Sequence, residues 1–419
     1  MADIQDVLGR MNPWWYGESA QKFARRKIYE EITRFLHTPQ IIALTGLRRV
    51  GKTALMHNLV QDYIGRSFDP KNILYFSFDD YKASALLDVI REYESMHGKN
   101  LRDGNYLILF DEIQKLEGWQ EKIKVLYDAY KPHIKFIISG SESLFIRKKA
   151  KESLAGRIFE FRVEQLTFSE FLDFLGKKPE PGYLHRGWTK NLLGRFIATQ
   201  GFPEMTEEQD RTVIRKYVLE NVVEKALYRD IPAIFKIDNV EALASMLRVL
   251  MEEPGQLIEY SKLAADLNLS RISVSNYLGY LGDAFLVRKL YNYSRNARKT
   301  ERSLKKFYPT VISPDLTFNS DTYSRSKVFE WFVVNQLRAE FFWRDSWGHE
   351  VDVITREKGM PIEIKYGKLD FDGVLEFMDR FGAKKGYIVS REAEDTKIYG
   401  SRRIDVVPVL KVLLQDVIE

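Results

Sequence analysis

The stretch "IIALTGLRRVGKTALMHNL", residues 41–59, opens apolar, passes two glycines five apart, and continues in helix-forming residues. From Gly46 to Thr53 its spacing is G-x-x-x-x-G-K-T, which predicts a strand, a phosphate-cradling loop and a helix. Glycines let backbone N–H groups turn inward around a phosphate. The expected nucleotide cup is therefore Gly46, Leu47, Arg48, Arg49, Val50, Gly51, Lys52, Thr53 and Ala54. In this reading Lys52 reaches the β- and γ-phosphates and the Thr53 hydroxyl holds Mg²⁺. The expected ligand is ATP or ADP with Mg²⁺.

Such a loop needs a metal-side carboxylate and a group that activates water. "YLILFDEIQ", residues 106–114, supplies both: an apolar strand ends in Asp111, expected to hold Mg²⁺ through water, and Glu112 follows, placed to polarise the attacking water. The next apolar run, "FIISGSES", ends in small hydroxyls, so Ser139 or Ser141 is expected to sense the γ-phosphate beside Asp111.

Around this centre the chain reads in α/β rhythm. Strands are expected at 40–45, 72–78, 106–110 and 134–138, with a fifth near 158–163 and helical patterns between them. Near-continuous apolar runs of this kind suit parallel strands buried on both faces. A chain of 419 residues exceeds one hydrophobic core, so about two to four domains are expected. Composition is that of packed cores, 45% hydrophobic and 13% aromatic. No run of about 18 uncharged apolar residues occurs, so no membrane span is expected. "MADIQDVLGRMNPWWYGESA" carries early acids and no basic-then-apolar leader, hence no secretory signal. Zero cysteines exclude disulfides and thiolate metal sites and fit a cytoplasmic protein.

Net charge is only +5, but it is unevenly spread. From Arg288 to Lys306 there are eight Lys or Arg against the single acid Glu301, with Tyr291 and Tyr293 interleaved. Such a stripe either tracks phosphates or is a solvated connector. Just before it, residues 255–287 read as a winged helix: "EYSKLAADLNL", then "SRISVSNYLGYLGDA", then the strand "FLVRKLYNY". Ser270 is the expected N-cap, and Arg271, Ser273 and Asn276 stand where a recognition helix presents polar groups to a major groove. A winged helix serving as a lid or partner module is the competing reading. "KKPEPGYLHRG", residues 177–187, has the composition of a linker.

"GLRRVGKT", "LILFDEIQ", "ISGSES" and "SLAGRIFEFRVEQLTFSEFL" resemble the AAA-type prokaryotic ATPase family whose C-terminal half carries an uncharacterised endonuclease-like domain. "QGFPE" at 200–204, "YRDI" at 228–231 and "YLGYLGDAFLV" at 277–287 extend the likeness over most of the chain. The resemblance implies an arginine that meets the γ-phosphate, from the same or a neighbouring subunit, and so a possible homo-oligomer. Arg157, in "LAGR", is the first candidate and Arg147 the second. The sequence departs from the family at Gln200, where a second glycine is usual.

A second set of acids lies in "GHEVDVITREKGMPIEIKYG", read as two strands joined by a turn at "REKGMP". Alternation puts Glu350 and Asp352 on one face with Val351 and Val353 on the other, and Glu363 with Lys365 opposite Ile362 and Ile364. The spacing D-x₁₀-E-x-K is that of the PD-(D/E)xK nuclease core. There Asp352 and Glu363 would bind Mg²⁺, and Lys365 would assist hydroxide formation. Glu330, on the helix in "SKVFEWFVVNQLRAEFF", matches the extra helical acid of that group. Cross-strand ion pairing is the competing reading of these residues.

The expected architecture is thus α/β. A P-loop parallel-sheet ATPase core with an N-terminal arm covers residues 1–176, with a helical lid at 189–250. A winged helix at 251–295 and a restriction-endonuclease-like α/β domain at 305–419 complete the chain. The expected function is a Mg²⁺-dependent ATPase that binds DNA and is coupled to a metal-dependent nuclease. The alternative is an ATP-driven switch whose nuclease-like domain binds DNA or a protein without cutting.

Overall fold

The computed structural model describes residues 4–19, 21–79, 86–131, 133–141, 154–178, 187–415 and 417–418. It divides into two compact units, Met1–Gln165 and Leu166–Glu419.

In the first unit five strands, β1 (Ile41–Thr45), β2 (Ile73–Ser77), β3 (Tyr106–Asp111), β4 (Ile134–Gly140) and β5 (Ile158–Arg162), form a wholly parallel sheet in the order β2-β3-β4-β1-β5. Every residue of β1 to β4 is buried, as their unbroken apolar runs require. Among the described residues the unit's α-helices are α1 (Ile4–Met11), α2 (Ile28–Thr33), α3 (Lys52–Gly65), α4 (Leu86–His97) and α5 (Trp119–Tyr130). In this order β4 lies between β1 and β3. The loop after β1, the carboxylate ending β3 and the hydroxyls ending β4 therefore emerge at one edge.

The second unit is built on one nine-stranded sheet. Its strands are β6 (Gln256–Ile258), β7 (Val287–Asn292), β8 (Lys305–Pro309), β9 (Phe341–Arg344), β10 (Glu350–Ile354), β11 (Pro361–Lys365), β12 (Lys385–Ser390), β13 (Asp395–Tyr399) and β14 (Arg402–Pro408). Their order is β13-β14-β12-β11-β10-β9-β7-β8-β6. Two helices near its start are α6 (Phe168–Phe174) and α7 (Gly187–Thr199). Helix α8 (Val240–Glu252), strand β6, helices α9 (Tyr260–Asp266) and α10 (Arg271–Asp283), then β7 and β8 follow in that chain order, the three strands forming the antiparallel trio β6-β8-β7. Ser270 caps α10 by accepting from the Ser273 N–H at 3.0 Å. Helices α11 (Thr322–Gln336), α12 (Asp372–Phe381) and α13 (Val409–Gln415) pack on the remaining strands.

Two features of the second unit differ from the sequence reading, and Phe168 and Phe171, just past the end of the first compact unit at Gln165, share a core with Phe196 and Phe332. β7 pairs in parallel with β9, so the strands of the segments separated at 251–295 and 305–419 belong to one continuous sheet. The helix expected through "RAEFF" stops at Gln336, and Phe341 and Phe342 begin β9.

A third difference lies inside β10. Val351 pairs with Trp343 but Ile354 with Phe341, so β10 carries one residue more than its partner. This bulge breaks the alternation: Val351 packs on one face of the sheet with Trp343 and Phe377, and Val353 on the other with Ile362 and Ile364. The departure at Gln200 also acquires a reason. Gln200 has φ 52°, a conformation that favours glycine. Its buried amide compensates, Nε2 donating to Ile312 O at 3.0 Å and Oε1 accepting from Ile312 N at 2.9 Å. Gln200→Ala should keep the strained backbone and orphan both groups, lowering unfolding stability by about 1–3 kcal/mol. Gln200→Gly should lose less, and equal denaturant midpoints for Gln200→Ala and the parent would show that the clamp contributes nothing.

Candidate nucleotide site and a buried charge cluster

The loop between β1 and α3 closes as its glycines dictate. Gly46 has φ +148°, and a Cβ there would sit 2.0 Å from Val163 O, so only glycine lets the chain leave β1. Gly51 is left-handed, φ 95°, where α3 begins. Arg49, at φ 65°, turns the crest of the loop and is exposed, Arg48 is half-buried, and Leu47 and Val50 are buried beneath. Arg26 fastens the loop from below, its guanidinium donating to Val50 O at 2.7 Å and Glu164 O at 2.9 Å. Lys52 is 5% exposed, and its Nζ donates to Gly46 O and Leu47 O, both at 3.0 Å, so the amine lies within the cup. Ala54, half-buried, continues α3.

Thr53 Oγ1 donates to Asp111 Oδ2 at 2.6 Å, joining the loop to the end of β3. Ser139 Oγ donates to Asp111 Oδ1 and accepts from the Glu112 N–H at 3.0 Å. Glu112 stands at φ 52°, ψ 42°, a left-handed position that turns the chain sharply out of β3. Its carboxylate accepts from Gln114 Nε2, which also donates to Ser141 Oγ at 3.0 Å. The donor set fits a magnesium nucleotide. A buried amine lies in a glycine-lined cup, a hydroxyl and a carboxylate share one hydrogen bond, and a second acid stands beside them. Sequence reasoning placed all of these but missed Arg26, whose only local signal is a basic pair in an amphipathic stretch.

Arg157 lies elsewhere. Parallel pairing sets Ile158 beside Ile41, so Arg157 stands at the start of β1, the opposite edge of the sheet from the loop that follows Thr45. There Arg157 binds Asp128 with two nitrogens, Nε–Oδ1 at 3.0 Å and a terminal nitrogen to Oδ2 at 3.2 Å. It cannot meet a phosphate bound in its own subunit, and the in-subunit role is set aside. Arg147 falls outside the described residues.

In the second unit, Glu330, Asp352, Glu363 and Lys365 do converge, but around a residue assigned to the basic stripe. Lys306, 4% exposed on β8, reaches past β7 and β9 to pair with Glu350, and lies 3.6 Å from Asp352 and 3.9 Å from Glu330. Tyr308 donates to Glu330 Oε1 at 2.7 Å, and Arg344 pairs with the other Glu350 oxygen at 3.0 Å. Asp352 Oδ2 accepts from the Ile364 N–H at 2.9 Å, standing in for a ladder bond where the bulge disturbs β10. Lys365 pairs with Glu363 at 2.8 Å, while Glu363 Oε2 is buried with no hydrogen-bond partner.

Burial pulls the Lys306 ammonium down, but Asp352, Glu330 and Glu350 outweigh it and hold it above its ordinary value. Burial, then Glu363 and Glu330, push the Asp352 carboxyl well above the usual range against the pull of Lys306. Among the described residues no three acidic or histidine side chains converge as a metal-ligand group. At the expected Mg²⁺ pair, Asp352 and Glu363, the Lys306 ammonium stands 3.6 Å from Asp352, and Lys365 pairs with Glu363 at 2.8 Å. An ammonium occupies the centre of the acids, and Asp352 is committed to backbone.

Of the other stripe cations, Lys289, Arg295, Arg298, Lys299 and Arg302 are exposed, and Arg288 Nε bonds Asn335 Oδ1 at 3.3 Å. On α10 Arg271, Ser275 and Asn276 are exposed while Ser273 is half-buried. No helix among the described residues is long and apolar enough to cross a membrane.

Residues 38–172 match the family model of an AAA domain, and residues 190–310 and 325–412 match two domains of unknown function, DUF8612 and DUF4143. An uncharacterised protein of Methanocaldococcus jannaschii is 24% identical over 417 residues, covering 90% of this chain and 86% of its own. One of Haemophilus influenzae is also 24% identical over 417 residues, covering 95% and 100%. Among solved structures, the Walker-type ATPase of Pyrococcus abyssi is similar over 71% of this chain and 98% of its own, at 13% identity and a TM-score of 0.40. The parallel α/β sheet and its loop at 46–53 are those of a P-loop ATPase-like domain.

Proposed function

We propose that the chain is a Mg²⁺-dependent ATP hydrolase that works as a nucleic-acid-binding switch and does not itself cut. The observation that carries the ATPase reading is the Thr53–Asp111 hydrogen bond at 2.6 Å, with Glu112 next in sequence and bonded to Ser139. Thr53 and Asp111 would hold Mg²⁺, which supplies charge neutralisation at the phosphates. Lys52 binds the β- and γ-phosphates, and backbone N–H groups of residues 46–54 orient them. Glu112 accepts a proton from the attacking water, its carboxylate steadied by Gln114. Ser139 ties Glu112 to Asp111, so γ-phosphate occupancy is felt in both. With Arg157 at the far edge of the sheet, its contribution to phosphates would be to those of another subunit.

The chain order α8, β6, α9, α10, β7, β8, with the three strands paired antiparallel, supports a winged helix with residues 293–304 as its wing. The wing's exposed cations and the polar face of α10 suit duplex DNA. The Lys306-centred cluster supports a non-cleaving platform. One observation favours the nuclease reading instead: Glu363 Oε2, buried and unpaired beside Lys365, is an acceptor awaiting a cation.

Lys52→Ala should abolish ATP binding in calorimetry. Glu112→Gln should bind ATP as the parent does but hydrolyse it about 10²–10⁴-fold more slowly. If Glu112→Gln turns over at the parent rate, another group activates water. Charge reversal at Arg298, Lys299 and Arg302 should weaken duplex binding and lower the log–log salt slope by about 0.9 per lost phosphate contact. An unchanged slope assigns the wing no contact with DNA. Supercoiled plasmid should stay intact in Mg²⁺ or Mn²⁺. Nicking that disappears in Asp352→Ala and Lys365→Ala would restore the nuclease reading. Lys306→Met should cost about 3–5 kcal/mol of stability by leaving buried carboxylates unpaired, and an unfolding midpoint equal to the parent's would refute the buried clamp.

A further inference from the structure

Asp111 has a hydroxyl donor that belongs to no motif. Tyr75, the middle residue of β2 and 6% exposed, donates to Asp111 Oδ2 at 2.9 Å, the oxygen that also takes Thr53. β2 is the last strand on its side of the sheet, and the side-chain amide of Asn12 occupies its free edge. Asn12 Nδ2 donates to Tyr75 O at 2.9 Å and Oδ1 accepts from Tyr75 N at 2.7 Å, so the side chain pairs with both backbone groups of that residue as a neighbouring strand would. The amide is itself anchored, donating to Leu8 O at 2.8 Å, and is fully buried. Trp14 and Trp15 fix the strand two residues earlier, both indoles donating to Ile73 O, at 3.2 and 2.8 Å. Above Tyr75 lies His57, one helical turn after Thr53, its ring 4.9 Å from Tyr75 and 6.2 Å from Trp14.

We propose that Tyr75 is a positioning residue for the metal-side carboxylate and that residues 12–15 set it, so that the N-terminal segment tunes how much Mg²⁺ the nucleotide site requires. This rests on the reading of residues 46–53 and Asp111 as a Mg²⁺–nucleotide site. A carboxylate that presents an oxygen to a cation must have its plane fixed by donors other than the threonine sharing that cation. Ser139 and Tyr75 are those donors, one on each oxygen. Asn12 holds Tyr75 by backbone alone, so the hydroxyl's position follows from where the N-terminal segment docks.

The test is calorimetric titration of a non-hydrolysable ATP analogue across a Mg²⁺ series and in EDTA. Tyr75→Phe keeps ring and packing. It should raise the Mg²⁺ concentration for half-maximal tightening about tenfold while leaving affinity in EDTA unchanged. Asn12→Ala should move the midpoint in the same direction, and the double variant no further than the larger single effect. A purely structural role would lower thermal stability and weaken binding alike with and without Mg²⁺. Tyr75→Phe with the parent's Mg²⁺ midpoint overturns the proposal. Parent protein that binds no nucleotide at all overturns the underlying site reading, a distinct outcome.

Discussion

The first unit turns on how one carboxylate is held. Asp111 collects hydroxyls from Thr53 at the start of α3, Tyr75 on β2 and Ser139 on β4. Those donors come from three separate segments, and a parallel sheet in the order β2-β3-β4-β1-β5 brings them to the end of β3. A buried carboxylate is tolerated only when its oxygens accept enough hydrogen bonds to replace water. Any shift of one strand along its neighbour removes a donor, so the site and the strand register stabilise each other.

The parts of this arrangement that were legible in the sequence are those encoded within a few residues. Gly46 to Thr53 fix a backbone path by their own conformational limits, and Asp111 and Glu112 follow an apolar strand directly. Tyr75 and Asn12 were not legible because nothing local marks them. A tyrosine in "ILYFS" reads as core, and an asparagine before proline reads as a turn. Their pairing spans 63 residues and exists only because β2 lies at the sheet's edge. Which subunit's phosphates Arg157 could reach was not legible for a related reason: its neighbours in sequence resemble a motif, while the parallel register decides which end of the sheet it occupies.

The second unit shows the limit of alternation arguments. The strand pair at 350–365 was read correctly as two strands, and Ile362 and Ile364 share a face as expected. One additional residue in β10 then sends Val351 and Val353 to opposite faces and leaves Asp352 to bond the Ile364 N–H. Bulges are set by pairing with a partner strand, so a pattern read along one strand alone does not contain them. Lys306 was likewise read with its sequence neighbours. Several cations shortly before it are exposed, yet its side chain is buried because β8 is covered on both faces from Lys306 to Pro309, which only long-range packing decides.

The charges of that interior can be balanced. Four carboxylates, Glu330, Glu350, Asp352 and Glu363, face the ammoniums of Lys306 and Lys365 and the guanidinium of Arg344. One negative charge is left over, in a place where charge is costly. Asp352 is the most buried of the acids and adjoins Glu363, and both influences drive it toward its neutral form. A divalent cation at the same place would meet the Lys306 ammonium, which holds its position through three carboxylates at once. The ammonium thus stands among the acids that a cation would need, while the Asp352 carboxylate is tied to backbone through the bond that its Oδ2 accepts from the Ile364 N–H, and leaving that N–H unpaired would be costly.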